Sequence, residues 1–320
     1  MLDVKDKKLV YGLDLNSRLS IRQLSKRIGL SQEATRYRLN RLKEKGIITN
    51  FVTYLNFTKL GYFGYCVYCR YNNITEQKKN EIKNYLKSNE HIYWIAEFGG
   101  KIDLAFSILA KTPLEFDKTL SPIMNKYSKY LADIRLIVKL EPHKYSRKYL
   151  SKPNDIPKEK KIESSNYQLS KTERKILSKI TTNARISSAA ISDKMGIPLS
   201  TVIYSIKKMI KEDIIGGFTI LLQPNTFGYQ SFQVNIVTQN INEEKLKNLL
   251  FYCKTHPNVI FFIKVLGDWN IELIYEVENI KKMQENLIEL RSQFSDIIKD
   301  VELVNLFEDY IKLNHYPFKD

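Results

Sequence analysis

Apolar and polar residues follow two regimes along this chain. Up to about residue 48 the apolar positions fall at helical spacing. Leu9, Val10 and Leu13 line one face of a helix over about 3–15. Ser20 and Gln23 form a capping-box pattern, in which each residue satisfies a free amide of the other; it opens a short helix carrying Leu24 and Ile28. Gly29-Leu30 marks a turn, and Ser31 caps a third helix whose Thr35, Leu39 and Leu42 form one stripe. Gly46 ends that helix as a left-handed C-cap. A short helix, a glycine turn and a capped second helix make a helix-turn-helix signal.

Beyond Ile48 the period falls to two. Phe51–Leu55, Tyr62–Tyr71, Ile92–Phe98, Ile102–Ala110 and Asp133–Glu141 read as strands. Thr75–Ser88 and Pro113–Tyr130 read as helices, with Ile82, Tyr85 and Leu86 inward on the first and Leu120, Ile123, Met124 and Tyr127 on the second. The order β-α-β-β-α-β is ferredoxin-like. One sheet face takes both helices; the other bears aromatics and needs a partner sheet.

Both regimes then repeat at a constant offset of 167 residues. Arg18 maps to Arg185, Gly29 to Gly196, Tyr37 to Tyr204, Phe51 to Phe218, Gly61 to Gly228, Gly100 to Gly267 and Glu141 to Glu308, with no gap. Solenoid repeats run roughly 20–50 residues, so this is a duplicated multi-element unit. The fold class is α+β, two copies of a helix-turn-helix domain followed by a ferredoxin-like βαββαβ domain. The boundaries are 1–50 and 51–150 for the first copy, the latter with its linking strand, and 168–217 and 218–320 for the second. Residues 151–167 are polar, hold two prolines and lack a period, which predicts an extended linker.

The outward face of the first reading helix carries Gln32, Glu33, Arg36, Tyr37, Arg38, Asn40, Arg41 and Lys43, donors suited to base edges and phosphates. An ordinary solvated basic helix would show similar residues; the three-helix context favours DNA. In the second copy Arg36, Arg38 and Arg41 become Ile203, Ser205 and Lys208, and Pro198 replaces the capping Ser31. Tyr204, Lys207, Lys208 and Lys211 keep an aromatic and positive charge without the planar guanidinium forks. Weaker, less specific contact is expected there, or a helix recruited to packing.

Net charge is +16 with a pI near 9.4, which favours a polyanionic partner, nucleic acid before a membrane surface. Residues 1–50 hold 12 Lys+Arg against 5 Asp+Glu, and 168–217 hold 9 against 4. Cys66, Cys69 and Cys253 make no disulfide framework and suggest a reducing compartment. Cys66 and Cys69 lie three apart on a strand, so they face opposite sides and form no half-site for zinc. No metal or cofactor is expected. No apolar run approaches the roughly 20 residues of a spanning helix, and Met1–Lys5 is no signal peptide; the expected location is cytoplasmic, with no membrane partner. No Ser/His/Asp set, phosphate-binding glycine loop or H-E-x-x-H is present, so the chain is not expected to be an enzyme.

Asp6-Lys-Lys-Leu-Val, Asn16-Ser-Arg18, Gly29-Leu-Ser31, Arg36-Tyr-Arg38-Leu-Asn-Arg41-Leu, Gly46-Ile-Ile48 and Leu60-Gly61-Tyr62, in this order and spacing, resemble the Lrp/AsnC (leucine-responsive, feast/famine) transcription factors. The resemblance covers nearly the whole chain, twice, and leaves out only the linker. It implies winged helix-turn-helix domains that bind double-stranded DNA, and ferredoxin-like ligand domains that pair sheet to sheet. Here the two ligand domains are expected to pair within one chain as an intramolecular pseudo-dimer, with further homo-oligomers open. The resemblance also implies a small effector, typically an amino acid, at the family's Gly-x-Tyr-Asp turn. That turn maps onto Gly100-Lys-Ile-Asp103 and Gly267-Asp-Trp-Asn270, where Ile102 and Asn270 depart from the pattern, and the candidate effector residues are Gly99, Gly100, Asp103, Gly267, Asp268 and Asn270. A tight β-turn accounts for the same glycines. Arg18 and Arg185 match a family position, and an intradomain ion pair explains them as well as DNA contact does.

Two other functions compete. Lrp-like double modules are also similar to sirohaem decarboxylases, whose site resembles one built on histidines and arginines; residues 94–103 and 261–270 contain no histidine, and His91 and His256 just before them read as strand starts. The other is a co-regulator that pairs with family members and binds no DNA itself.

Overall fold

The computed structural model describes residues 2–151 and 167–311; the expected linker lies almost wholly outside them. The described residues divide into two compact units, one built from residues 2–61, 146–151 and 167–228, the other from 62–145 and 229–311.

The helical unit holds α1 (Val4–Leu15), α2 (Ile21–Ile28), α3 (Gln32–Glu44) and β1 (Ile48–Leu55), and their counterparts α6 (Lys171–Thr182), α7 (Ser188–Met195), α8 (Leu199–Lys211) and β6 (Ile215–Leu222). The caps read from sequence are present. Ser20 and Ser170 form complete capping boxes with Gln23 and Glu173, and Ser31 accepts from Ala34 N. Pro198 precedes α8 with no side-chain cap. Gly46 is left-handed at φ 66°, and its counterpart Asp213 takes the same conformation at φ 56°. Asn56 donates to the Asp213 backbone carbonyl and carboxylate, which holds that unusual backbone in place. Leu9, Leu13, Leu24 and Leu42 are fully buried in one helical core, and Ile176, Ile180, Ile191 and Met209, their counterparts, in the other. Each such side chain contributes roughly 1.5–3 kcal/mol of burial.

The linking strand, placed with the ferredoxin-like domain on sequence, belongs to this helical unit. β1 and β6 form a two-stranded antiparallel ribbon, pairing Phe51 with Ile220 and Thr53 with Phe218. An isolated ribbon is marginal, and each first helix leans on the other copy's strand, α1 on β6 and α6 on β1. Ser17 N donates to Phe218 O, and its counterpart Ala184 N donates to Phe51 O. Asp14 adds a buried fastening: its carboxylate accepts from Arg147 N and Nη1, while its backbone carbonyl accepts from Thr219 Oγ1.

The second unit holds β2 (Phe63–Tyr71), α4 (Glu76–Ser88), β3 (Ile92–Gly99), β4 (Leu104–Ala110), α5 (Pro113–Tyr127) and β5 (Leu131–Lys144). It also holds β7 (Gln230–Thr238), α9 (Glu243–Thr255), β8 (Val259–Leu266), β9 (Ile271–Val277), α10 (Ile280–Gln293) and β10 (Ile298–Ile311). The two βαββαβ sheets share more than a face. They join edge to edge, β5 to β8 and β10 to β3, into a closed eight-stranded barrel. This explains why β5 runs three residues past the Glu141 end read from periodicity: Pro142, His143 and Lys144 pair with Ile263, Phe262 and Phe261 of the other copy. His256, expected at a strand start, instead closes α9. Strand alternation sorts the cysteines as expected, Cys66 into the core shared by both copies and Cys69 into the core under α4 and α5. Among the described residues no helix is long and apolar enough to cross a membrane.

Candidate nucleic-acid interface

α3 and α8 expose the same seven positions. On α3 these are Gln32, Glu33, Arg36, Tyr37, Asn40, Lys43 and Glu44; on α8 they are Leu199, Ser200, Ile203, Tyr204, Lys207, Ile210 and Lys211. Tyr37 and Tyr204 are each 67% exposed, so the two helices are presented alike. What differs is chemistry. Gln32, Arg36 and Lys43 lie on one flank and are replaced by Leu199, Ile203 and Ile210, which stay 43%, 38% and 38% exposed. The widened apolar face of α8 is thus outward and is not recruited to packing among the described residues.

Three expected DNA-facing residues are engaged elsewhere. Arg38 Nη1 lies 2.6 Å from Asp3 and 2.8 Å from Asp6, and Arg41 Nη2 lies 2.7 Å from Asp6. In the second copy Lys208, the counterpart of Arg41, lies 3.2 Å from Glu173, the counterpart of Asp6. Asp6 and Glu173 are buried on the first helix of each copy, and a buried carboxylate needs a partner. The cations supply it and brace the reading helix against the first helix. The hydrogen bond from Arg38 holds Asp3 below the usual aspartate range. Tyr167 and then Glu173 raise Lys208. An acid at the same place in both copies was the sequence signal for this bracing.

Among the described residues Arg18 and Arg185 form no intradomain ion pair. Arg18 donates to Ala184 O and Ile186 O at 3.0 and 2.9 Å and stacks on Phe218, while Arg185 donates to Ser17 O at 2.6 Å and stacks on Phe51. Burial lowers both pKa values. These arginines cross between the copies and fix the two reading helices within one unit.

The expected effector turns are structural in the same sense. Asp103 accepts from Tyr71 N at 2.8 Å, and Asn270 accepts from Thr238 N, the equivalent amide, at 2.8 Å. Gly267 has φ 148°, and a Cβ there would sit 2.7 Å from Leu136 O and 2.4 Å from the Ile137 side chain. Gly99 is closed off by Phe307, Gly100 faces Val304, and Asp268 lies 3.8 Å from Arg135. Glycine is needed here because the last strand of the other copy passes close by.

A family model described as winged helix-turn-helix DNA-binding matches twice, at residues 2–49 and 169–215. The transcriptional regulator Ptr1 of Methanocaldococcus jannaschii is 35% identical over 103 residues, covering 32% of this chain and 68% of that protein. The regulator LrpA of Pyrococcus horikoshii is 37% identical over 62 residues, 19% of this chain and 44% of that protein. This chain belongs to the Lrp/AsnC family of helix-turn-helix transcriptional regulators. It carries that family's module twice. The crystal structure of the siroheme decarboxylase NirDL superposes over 98% of this Lrp/AsnC chain and 94% of its own, with a TM-score of 0.61 at 10% identity. That likeness is one of fold.

Proposed function

We propose that this Lrp/AsnC regulator binds double-stranded DNA as one covalent pair and reads two unlike half-sites, α3 one and α8 the other. The observation that carries the reading is the matched exposure of seven positions on two braced helices, with polar donors on one flank of α3 and aliphatic side chains on the same flank of α8. Arg36 presents a guanidinium fork suited to guanine O6 and N7. Ile203, with Leu199 and Ile210, presents methyl groups where a major groove offers the thymine 5-methyl. Exposed Lys207 and Lys211 flank them and suit the phosphates. The first half-site is therefore guanine-bearing and the second thymine-rich.

Replacing thymine by uracil tests this, because it removes only the methyl. In the second half-site the change is expected to weaken binding about fourfold per contacted methyl; in the first it should do nothing. Equal effects in both halves, or none in either, would overturn the reading.

Catalysis is not part of the proposal, because the relatives are transcriptional regulators and residues 94–103 and 261–270 lack histidine. Nor is an amino-acid effector at the Gly100 and Gly267 turns, since Asp103 and Asn270 are each engaged with a backbone amide. A purely co-regulatory role leaves the exposed donors of α3 without a use. The place of action is the cytoplasm.

A further inference from the structure

A polar chain runs through the barrel and crosses between the copies. Lys139 Nζ lies 3.6 Å from the Glu272 carboxylate, which accepts from Tyr68 OH at 2.8 Å and Trp269 Nε1 at 3.2 Å. Gln233 donates to Tyr68 OH and to Asn235 Oδ1. Asn235 donates to Glu302, which also accepts from Arg135 Nη1 at 3.0 Å. Both cations, Arg135 and Lys139, come from the first copy, and both carboxylates, Glu272 and Glu302, from the second. Arg135 and Glu302 are separated by 167 residues, so they are each other's counterpart and meet at the axis relating the copies. The counterpart of Lys139 is Leu306, and that of Glu272 is Ala105.

We infer that the barrel is coded by charge so that a first-copy sheet accepts a second-copy sheet and rejects its own kind. A pair of first copies would set Arg135 against Arg135 and leave each Lys139 beside Ala105. A pair of second copies would set Glu302 against Glu302 and leave each Glu272 beside Leu306. Each like pair brings four charges of one sign together without their partners, and Lys139 or Glu272 is then left largely buried and uncompensated, which disfavours the pair. The β1–β6 ribbon and the Arg18 and Arg185 bonds are equivalent in the two copies and do not discriminate. The charges that select lie in the barrel; the helical unit adds one-sided contacts of its own, from Thr219 to Asp14 and from Asn56 to Asp213. A regulator built this way does not exchange halves with other chains, which keeps its two reading helices always paired as unlike partners.

The test uses the full chain with a protease site placed within residues 152–166, folded, cut, and incubated in mild urea to allow halves to exchange. Native mass spectrometry should show only one-to-one complexes of first and second halves, with like pairs below about one in a hundred. The variant Arg135→Gln, Lys139→Met, Glu272→Gln, Glu302→Gln should add both kinds of like pair. Abundant like pairs in the wild type, or none in a folded neutral variant, would overturn the inference. Should the neutral variant fail to fold, Glu302→Arg and the swap Arg135→Glu with Glu302→Arg decide: the single change should lower the melting temperature and the swap restore it. A swap that restores nothing also overturns the inference.

Discussion

Arg18 and Arg185 do the same job from opposite sides of the helical unit, each donating to carbonyls of the other copy and stacking on its phenylalanine. Arg135 and Glu302 are just as equivalent by sequence, yet in the barrel they are opposite in charge and bond to each other. The difference teaches where a duplicated chain is free to diverge. Where each copy makes the same contact to the other's backbone, as Arg18 and Arg185 do, both keep the same residue; where the contact is one-sided, as from Thr219 to Asp14, the counterpart Val52 differs. Where counterparts meet at the axis, a symmetric pair faces its own kind, and divergence to opposite charge turns a repulsive meeting into an attractive one. Outward positions carry no such mutual constraint, and there Arg36 and Ile203 have parted.

The largest expected effect breaks an unequal contact of the helical unit. Asp14 is buried with Arg147, while its counterpart Thr181 donates to Leu177 O and Ser178 O of its own helix. Asp14→Ala should lower unfolding free energy by about 3–5 kcal/mol, because it removes the carboxylate beside a buried guanidinium; Thr181→Ala should cost about 1 kcal/mol. Urea melts of the two variants measure the gap, and equal losses would remove Asp14 from the account.

Next is DNA binding itself. Arg36→Ala should weaken binding by about 1–3 kcal/mol and relax base preference at one position, while Ile203→Ala should weaken it by only a few-fold. Fluorescence anisotropy on one duplex compares them. If the order reverses, α8 is the dominant reader.

Arg18→Met and Arg185→Met sharpen the symmetric side. Each should cost about 1–2 kcal/mol, Arg18→Met slightly the more, since it strands two carbonyls of the other copy and Arg185→Met strands one. A large inequality in thermal melts would mean that the stitching is not shared.

The smallest effect is on pH. Asp3 has its pKa depressed by Arg38, and Glu173, despite burial, is held low by Ser170, Tyr167 and Lys208. A depressed carboxylate contributes stability above its unfolded pKa, about 4, and loses it as pH falls through the folded value, because the unfolded chain takes the proton first. Bracing of both reading helices should therefore be constant at neutral pH and fade below about pH 4. Hydrogen exchange of α3 and α8 amides would show it; loosening on the alkaline side would contradict it.

Much of this molecule was legible from residues alone because its signals are local. Ser20 with Gln23, Ser31, Gly29 and the constant offset specify caps, turns and duplication within a few positions of one another. What stayed hidden depends on pairing between copies. The end of β5 is set by β8 rather than by its own alternation. Arg38 and Arg41 look like DNA contacts until α1 brings Asp6 beneath them. The barrel's polar chain draws on residues 68, 135, 139, 233, 235, 272 and 302, scattered over several strands of both copies; the 167-residue offset links 68 with 235 and 135 with 302, but it does not reveal that these side chains meet.

Selection of bound duplexes from a randomised pool by the intact protein tests the central claim most directly. The account predicts a non-palindromic site whose two halves lie about one helical turn apart, one bearing guanine and the other thymine-rich. Enrichment of a symmetric palindrome, or no enrichment at all, would contradict it.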